Sequence, residues 1–173
     1  LVPLAETAED GRLFLNVELD GIEPEVFLAW LGAGVANAVT AMARIGVVHR
    51  DIKPQNIMLS WKNMETFRSY QKNGKFRIKN PETQLAAKLG DFGVSKRDDR
   101  RESTTVGTDR YMAPEIRAGK RLYKNASDIF SLGKTLGHLF EILGAEPSAT
   151  MADFIEQMTD PNHKRRPSPA EVR

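Results

Sequence analysis

His49-Arg50-Asp51-Ile52-Lys53-Pro54-Gln55-Asn56 packs one carboxylate, two cations and the Asn56 amide into eight residues. Pro54 removes a backbone donor and disfavours helix at Lys53, so the segment reads as an ordered, extended loop. Such a loop can present Asp51, Lys53 and Asn56 to one site. A carboxylate there can accept a proton from an attacking hydroxyl, and a lysine can neutralise charge on a transferred phosphoryl group. An amide oxygen can help hold a hard divalent cation. Taken alone, the same residues are as readily a polar surface loop.

Two downstream stretches extend the pattern. Lys88-Leu89-Gly90-Asp91-Phe92-Gly93 sets a carboxylate between two glycines and beside a large ring. The glycines permit unusual backbone angles, and Phe92 can anchor Asp91 from the core side. An aspartate held in this way suits Mg²⁺, which takes one or two carboxylates together with phosphate oxygens. On its own the tripeptide is equally a Gly-flanked turn. Gly107-Thr108-Asp109-Arg110-Tyr111-Met112-Ala113-Pro114-Glu115 follows, and alone it reads as a turn running into a Pro-started helix.

Around these stretches the apolar spacing is mostly helical. Val26, Phe27, Trp30, Leu31, Val35, Val39, Met42 and Ile45 follow Pro24, a first-turn residue, and end at Gly46, a C-cap. A second helix is expected from about Ser127 to Leu143, apolar over most of its circumference and so buried on several sides. A third is expected from Ala149 to Met158, stopping at Asp160-Pro161. Arg12 to Leu19 is a β-prone run ended by the turn signal Asp20-Gly21. Ser60 to about Ala87 reads as an inserted loop, with Asn73-Gly74 marking a hairpin turn.

Composition bounds the function. The chain has 173 residues, 40% hydrophobic and 28% charged, which supports a folded core and argues against disorder. With no cysteine there is no disulfide scaffold, Cys-ligated zinc site, iron–sulfur cluster or thiol nucleophile. Gly, Asn, Lys or His interrupt the apolar stretches, so no membrane-spanning helix and no signal peptide are expected. The net charge of +2 is unevenly spread. Leu1 to Trp30 is acidic, whereas Trp61 to Asn80 carries Lys62, Arg68, Lys72, Lys75, Arg77 and Lys79 against Glu65 alone. That run is read as a solvated loop rather than a nucleic-acid surface.

In this order, His-Arg-Asp with Asn five residues after the Asp, Asp-Phe-Gly and Ala-Pro-Glu resemble the large lobe of a eukaryotic-type protein kinase. The resemblance covers nearly the whole chain. It implies an α+β, protein-kinase-like fold: a mainly α-helical large lobe with a small remnant of the small lobe's β-sheet. Residues 1–19 would be small-lobe strands and hinge, and 20–173 the large lobe, with the basic insertion at about 60–87. Carried over by motif, Asp51 is the catalytic base, Lys53 contacts the γ-phosphate, and Asn56 and Asp91 bind the metal ions. Thr108 contacts Asp51 and Lys53 and helps form the substrate pocket. Gln55 falls on the nucleotide side, Glu18 and Leu19 at the hinge would meet adenine through their backbone, and Met58 would lie under the ring. Asp128 would tie down the catalytic loop, and either Arg165 or Arg166 would pair with Glu115. Arg50 would receive a phosphate on the segment after Asp91, with Thr104 the first choice of site and Thr105 the second.

The resemblance therefore implies a serine/threonine protein kinase that uses ATP and Mg²⁺ on Ser or Thr hydroxyls of protein substrates, in the cytoplasm or nucleus. Lys53-Pro54 and Thr108 after Gly107 match the serine/threonine branch. Nothing here resembles the Gly-rich loop or the strand lysine that holds ATP phosphates, so the chain is expected to begin inside the small lobe. A weakly active or inactive kinase-like scaffold is the alternative. An aminoglycoside-kinase type of phosphotransferase is disfavoured by the Ala-Pro-Glu segment. The strand run Leu13 to Leu19 lacks an evident neighbour, so self-association through an exposed sheet remnant is expected.

Overall fold

A computed structural model describes residues 1–62, 71–72, 75–97, 107–119 and 124–172. The first part of the chain forms β1 (Val2–Pro3), β2 (Ala5–Thr7), β3 (Leu13–Leu15), β4 (Val17–Leu19) and α1 (Pro24–Arg44). The middle forms β5 (Val47–Val48), β6 (Ile57–Trp61), β7 (Gln71–Lys72), β8 (Lys75–Ile78), α2 (Pro81–Gln84), β9 (Leu85–Leu89) and β10 (Lys96–Arg97). The last part forms α3 (Pro114–Arg117), α4 (Asn125–Leu143) and α5 (Ala149–Met158). Short 3-10 turns occupy Pro54–Asn56 and Asp109–Tyr111.

The core is the seam between α1 and α4. Phe27, Leu28, Leu31, Val35 and Val39 of α1 are fully buried, as are Ile129, Leu132 and Leu139 of α4. Each such side chain contributes about 1.5–3 kcal/mol by leaving water. Small residues let the layers close: a Cβ at Gly34 would meet the Ala87 Cβ at 2.8 Å, so α1 rests directly on β9. Among the described residues α1 is long and apolar enough to cross a membrane, contrary to the sequence expectation. Its hydropathy is accounted for by the face buried against α4 and β9. Helix α4 starts two residues earlier than expected, at Asn125, whose amide donates to the Val47 carbonyl at 3.1 Å. It ends at Gly144, whose φ of +63° supplies a left-handed cap. Ser148 caps α5 and also bonds Glu25 at 2.7 Å, tying the start of α5 to the start of α1.

Two expectations about the strands are corrected. The run Arg12 to Leu19 is not one strand, because Asn16 breaks it. The Asn16 amide donates to the Pro3 carbonyl and to Glu6, both at 3.0 Å, and the chain changes sheets there. Before Asn16, β3 pairs antiparallel with β2; after it, β4 pairs parallel with β8 at Val17↔Phe76 and Leu19↔Ile78. The segment at 60–87 is accordingly not a plain loop. It continues β6 to Trp61 and builds β7 and β8, which pair antiparallel at Lys72↔Lys75. The expected turn at Asn73-Gly74 lies between them, outside the described residues. Phe76 and Ile78 alternate with Lys75 and Arg77, so the two apolar residues are buried while the cations stay on the other face. Arg77 and Lys79 then reach Asp20 at 3.0 and 3.6 Å, which brings part of the basic run against the acidic N-terminal stretch. Strand β4 thus has a neighbour in β8, which the sequence did not show, and it stands at the end of that three-stranded sheet.

The remaining sheet positions the site. Strand β6 pairs with β1 (Pro3↔Met58) and with β9 (Ile57↔Leu89), so Asn56 and Gly90 leave the ladder together. The Gly90 amide donates to the Asn56 carbonyl at 2.8 Å, which brings the loop before β6 and the loop after β9 to one end of the sheet.

Candidate active site

The loop between β5 and β6 is fixed from below by one buried carboxylate. Asp128, wholly buried in the first turn of α4, accepts from the His49 amide and from the Arg50 amide, both at 2.9 Å. This double acceptance holds Arg50 at a φ of +75°, a left-handed conformation that costs a non-glycine residue about 1–3 kcal/mol. His49 bonds the Gly90 carbonyl at 2.9 Å through Nε2 and meets Phe92 edge-on at 5.1 Å. Burial lowers the His49 pKa despite the Gly90 bond and the nearby carboxylates. Its ring is therefore a neutral strut between the two loops.

Asp51 is the hub of what this loop presents. Its Oδ1 accepts from the Thr108 amide at 2.9 Å and from the Thr108 hydroxyl at 2.8 Å. Its Oδ2 meets Lys53 Nζ at 2.7 Å and accepts from Asn56 Nδ2 at 3.0 Å. Lys53 also donates to the Thr108 hydroxyl at 2.9 Å, which closes a ring of three side chains. Burial pushes the Asp51 carboxyl up, but Lys53 and Thr108 together outweigh it and hold the pKa below the usual carboxylate range. Asp51 is ionised at neutral pH, half-buried, and still in contact with solvent.

The segment carrying Thr108 is anchored at both ends. At its start Gly107 has a φ of +117°, and a Cβ there would meet the Arg50 carbonyl oxygen at 2.7 Å. Only glycine lets the two backbones approach this closely. At its end Glu115 forms a bidentate pair with Arg166 at 2.8 and 2.7 Å, which decides between the two candidate arginines. Arg166 lies 4.8 Å over the Phe130 ring and also donates to the Asp160 and Ala126 carbonyls.

A protein kinase domain model matches residues 3–147. The chain belongs to the protein kinase family. Serine/threonine-protein kinase AfsK of Streptomyces griseus is 30% identical over 149 residues, covering 81% of this chain and 16% of that protein. The probable serine/threonine-protein kinase nek3 of Dictyostelium discoideum is 28% identical over 160 residues, covering 88% of this chain and 12% of that protein. Serine/threonine-protein kinase PKZ1 of Phytophthora infestans is 30% identical over 161 residues, covering 88% of this chain and 39% of that protein. The chain thus spans well under half the length of these kinases.

Kinases of this family work with ATP and Mg²⁺, and the donor set suits that cation. Asn56 donates from Nδ2 to the Asp51 carbonyl and carboxylate, which leaves its amide oxygen as an acceptor. Asp91 is exposed, sits at a φ of +54°, and holds the Gly93 amide at 3.2 Å through one oxygen. One carboxylate and one neutral oxygen leave room for phosphate and water, as Mg²⁺ prefers. Among the described residues no cluster of three His, Cys, Asp or Glu side chains forms a closed metal cage.

The other sequence candidates divide. Met58 lies on β6, packed so closely to Gly90 that a Cβ there would meet Met58 Cγ at 2.9 Å. Its strand neighbours are Pro3 of β1 and Lys88 of β9. Glu18 and Leu19 are in a different sheet from Met58, paired with Arg77 and Ile78. The period-two apolar pattern that made Val17 to Leu19 a strand carries no information about which strand it joins. Gln55 bonds the Thr7 hydroxyl at 3.2 Å and so faces the β2–β3 hairpin. Arg50 is buried to 8% exposure behind the loop, while Thr104 and Thr105 lie outside the described residues. Sequence reading missed His138, whose Nδ1 meets the Tyr111 hydroxyl at 2.7 Å; a lone histidine on a buried helix gives no signal.

Proposed function

We propose that this chain is the large-lobe part of a serine/threonine protein kinase that transfers the ATP γ-phosphoryl group to a Ser or Thr hydroxyl of a protein substrate. The observation that carries the reading is the closed ring of Asp51, Lys53 and Thr108, with Asn56 bonded to the same carboxylate. In the transfer, the acceptor oxygen forms a bond to the γ-phosphorus as the bridging P–O bond to ADP breaks, and the acceptor proton passes to the Asp51 carboxylate. An aspartate whose pKa is held low is a weak base, so its main service is to orient the hydroxyl, with proton uptake late. Lys53 sits where it can offset charge on the moving phosphoryl group. Asn56 and Asp91 would hold Mg²⁺, which supplies charge neutralisation on the phosphates when bound. Thr108 fixes Asp51 and Lys53 relative to each other and borders the acceptor. An intracellular location, cytoplasmic or nuclear, goes with this reading.

The test is a titration of the chain with ATP, with and without Mg²⁺, by calorimetry. Binding that depends on Mg²⁺ and is lost in Asp91→Ala fits the phosphotransfer site. A chain that acts only as a scaffold binds no nucleotide under either condition, and that result would sink the proposal.

A further inference from the structure

A cleft of about 470 Å³ opens next to Thr108, between the β2–β3 hairpin and the end of the Asp109–Tyr111 turn. Arg12, Gln55, Arg110, Tyr111 and His138 are among the residues that line it. Thr108 belongs both to this lining and to the ring around Asp51, so whatever fills the cleft is a direct neighbour of the phosphotransfer centre. Its charge is one-sided: two guanidiniums line it, and no carboxylate does among the described residues.

The carboxylates that balance these arginines stand outside the lining. Arg12 pairs with Asp10 at 2.7 Å, and Arg110 pairs with Glu141 at 2.5 Å. Both pairs are well exposed, and such pairs hold each other only weakly. Arg110 gives only NH2 to Glu141, which leaves other guanidinium donors for an incoming anion. The Tyr111 hydroxyl meets Nδ1 of His138 at 2.7 Å, and in the tautomer in which the hydroxyl donates, Nε2 carries the ring hydrogen as a third donor. Burial and the Arg110 charge keep the His138 pKa below its usual value, so near neutral pH the ring serves as an uncharged donor.

We propose that this cleft seats the substrate segment flanking the phosphoacceptor and selects a neighbouring residue that carries a carboxylate or a phosphate, read by Arg110, Arg12 and His138. The proposal rests on the reading of Asp51 as the phosphotransfer centre, and it adds the substrate class. An anion there gains charge-assisted hydrogen bonds to arginine, whereas a lysine would face two like charges.

The experiment is fluorescence anisotropy of the 173-residue chain with one Ser-centred peptide, made with flanking Glu, phosphoserine, Gln or Lys, without nucleotide. The Glu and phosphoserine peptides should bind about five-fold more tightly than the Gln peptide, the upper end of what one partly exposed charge pair supplies. The Lys peptide should bind most weakly. The spread should narrow between about 0.1 and 1 M salt, as the Debye length falls from about 10 to about 3 Å. The double variant Arg110→Glu with Glu141→Arg keeps an ion pair but reverses the cleft wall, and should shift preference toward the Lys peptide. A phosphoserine peptide that outbinds the Glu peptide identifies phosphate as the ligand; equal binding identifies a carboxylate. Equal affinity for all four peptides, or no binding of any, overturns the proposal. Acidic preference in a chain that binds no Mg²⁺-ATP leaves the cleft standing and instead refutes the phosphotransfer reading.

Discussion

Replacing Arg166 with Met should destabilise the chain by about 3–5 kcal/mol, the cost of stranding one partner of a buried ion pair. The figure follows from what the guanidinium does. Its side chain is 0% exposed against 9% for Glu115, and it satisfies both Glu115 oxygens together with the Asp160 and Ala126 carbonyls. Methionine fills much of the volume over Phe130 but returns none of those donors. Glu115→Gln should cost less, about 1.5–3 kcal/mol, because Arg166 keeps its two carbonyl partners and an amide oxygen. In the double variant neither group is stranded, so its cost should fall short of the sum by about 0.5–3 kcal/mol. Urea unfolding followed by Trp30 and Trp61 fluorescence measures all three. The pair also predicts a pH dependence. Burial alone would raise the Glu115 pKa, but the Arg166 bonds outweigh it and the net shift is downward. Its stabilising contribution is therefore complete above the ordinary glutamate pKa and is lost as pH falls through the lowered one. Wild type should converge with Glu115→Gln across that acidic window, and also with Arg166→Met, whose Glu115 keeps the burial without the guanidinium and is neutralised at higher pH. Strictly additive single costs, or an Arg166→Met loss below about 1 kcal/mol, would refute the reasoning.

Three further outcomes concern the site. In a kinase chain that also carries a Gly-rich loop and strand lysine, Asp51→Asn should lower phosphotransfer by about 10²–10⁴-fold while ATP binding holds, and a near-normal kcat would remove Asp51 from its role. Thr108→Val deletes the hydroxyl shared by Asp51 and Lys53 and should cost about ten-fold or more in kcat, at ~1.5–3 kcal/mol per hydrogen bond to a charged group. Thr108→Ser should recover most of it, and equal activity of the two variants would show that the hydroxyl does nothing. For regulation, Thr104→Ala, Thr105→Ala and Arg50→Ala are compared in a phosphorylated kinase chain. Loss of activation in Arg50→Ala together with one of the threonine variants is expected, because a phosphate with three acceptor oxygens pairs readily with a guanidinium. Full activity in all three would abolish the switch.

Asp51, Lys53 and Asn56 of the candidate site were legible because they are local, whereas Thr108, 57 residues from Asp51, was placed by the resemblance alone. Pro54 forces the loop, and Asp51, Lys53 and Asn56 fall together within it; Asp91 follows because Gly90 is the register partner just beyond Leu89. The two buried helices were legible from periodicity, with α4 misjudged only at its start, where Asn125 and Ala126 carry no apolar signal. Strand partners were not legible. Val17 to Leu19 joins β8 across the whole of α1 and the loop bearing Asp51, and nothing in either strand encodes the other except opposite charge at Asp20 and Arg77. The alternation of Phe76 and Ile78 was hidden by the lysines around it. The cleft is a meeting of three distant stretches, around Arg12, Arg110 and His138, each ordinary by itself.

The parallel pairing of β4 with β8 sets an order of events during synthesis. Val17 leaves the ribosome 59 residues before its partner Phe76, so at about 5–20 residues per second its hydrogen-bonding edge waits some ~3–12 s for cover. For the second half of that interval α1 is complete as well, but the strand leading into it has an open ladder and a buried-type valine in water. A nascent chain stalled before Phe76 would present that edge to any passing strand, and a holdase that recognises short apolar β-segments would find its target there rather than in the loop bearing Asp51.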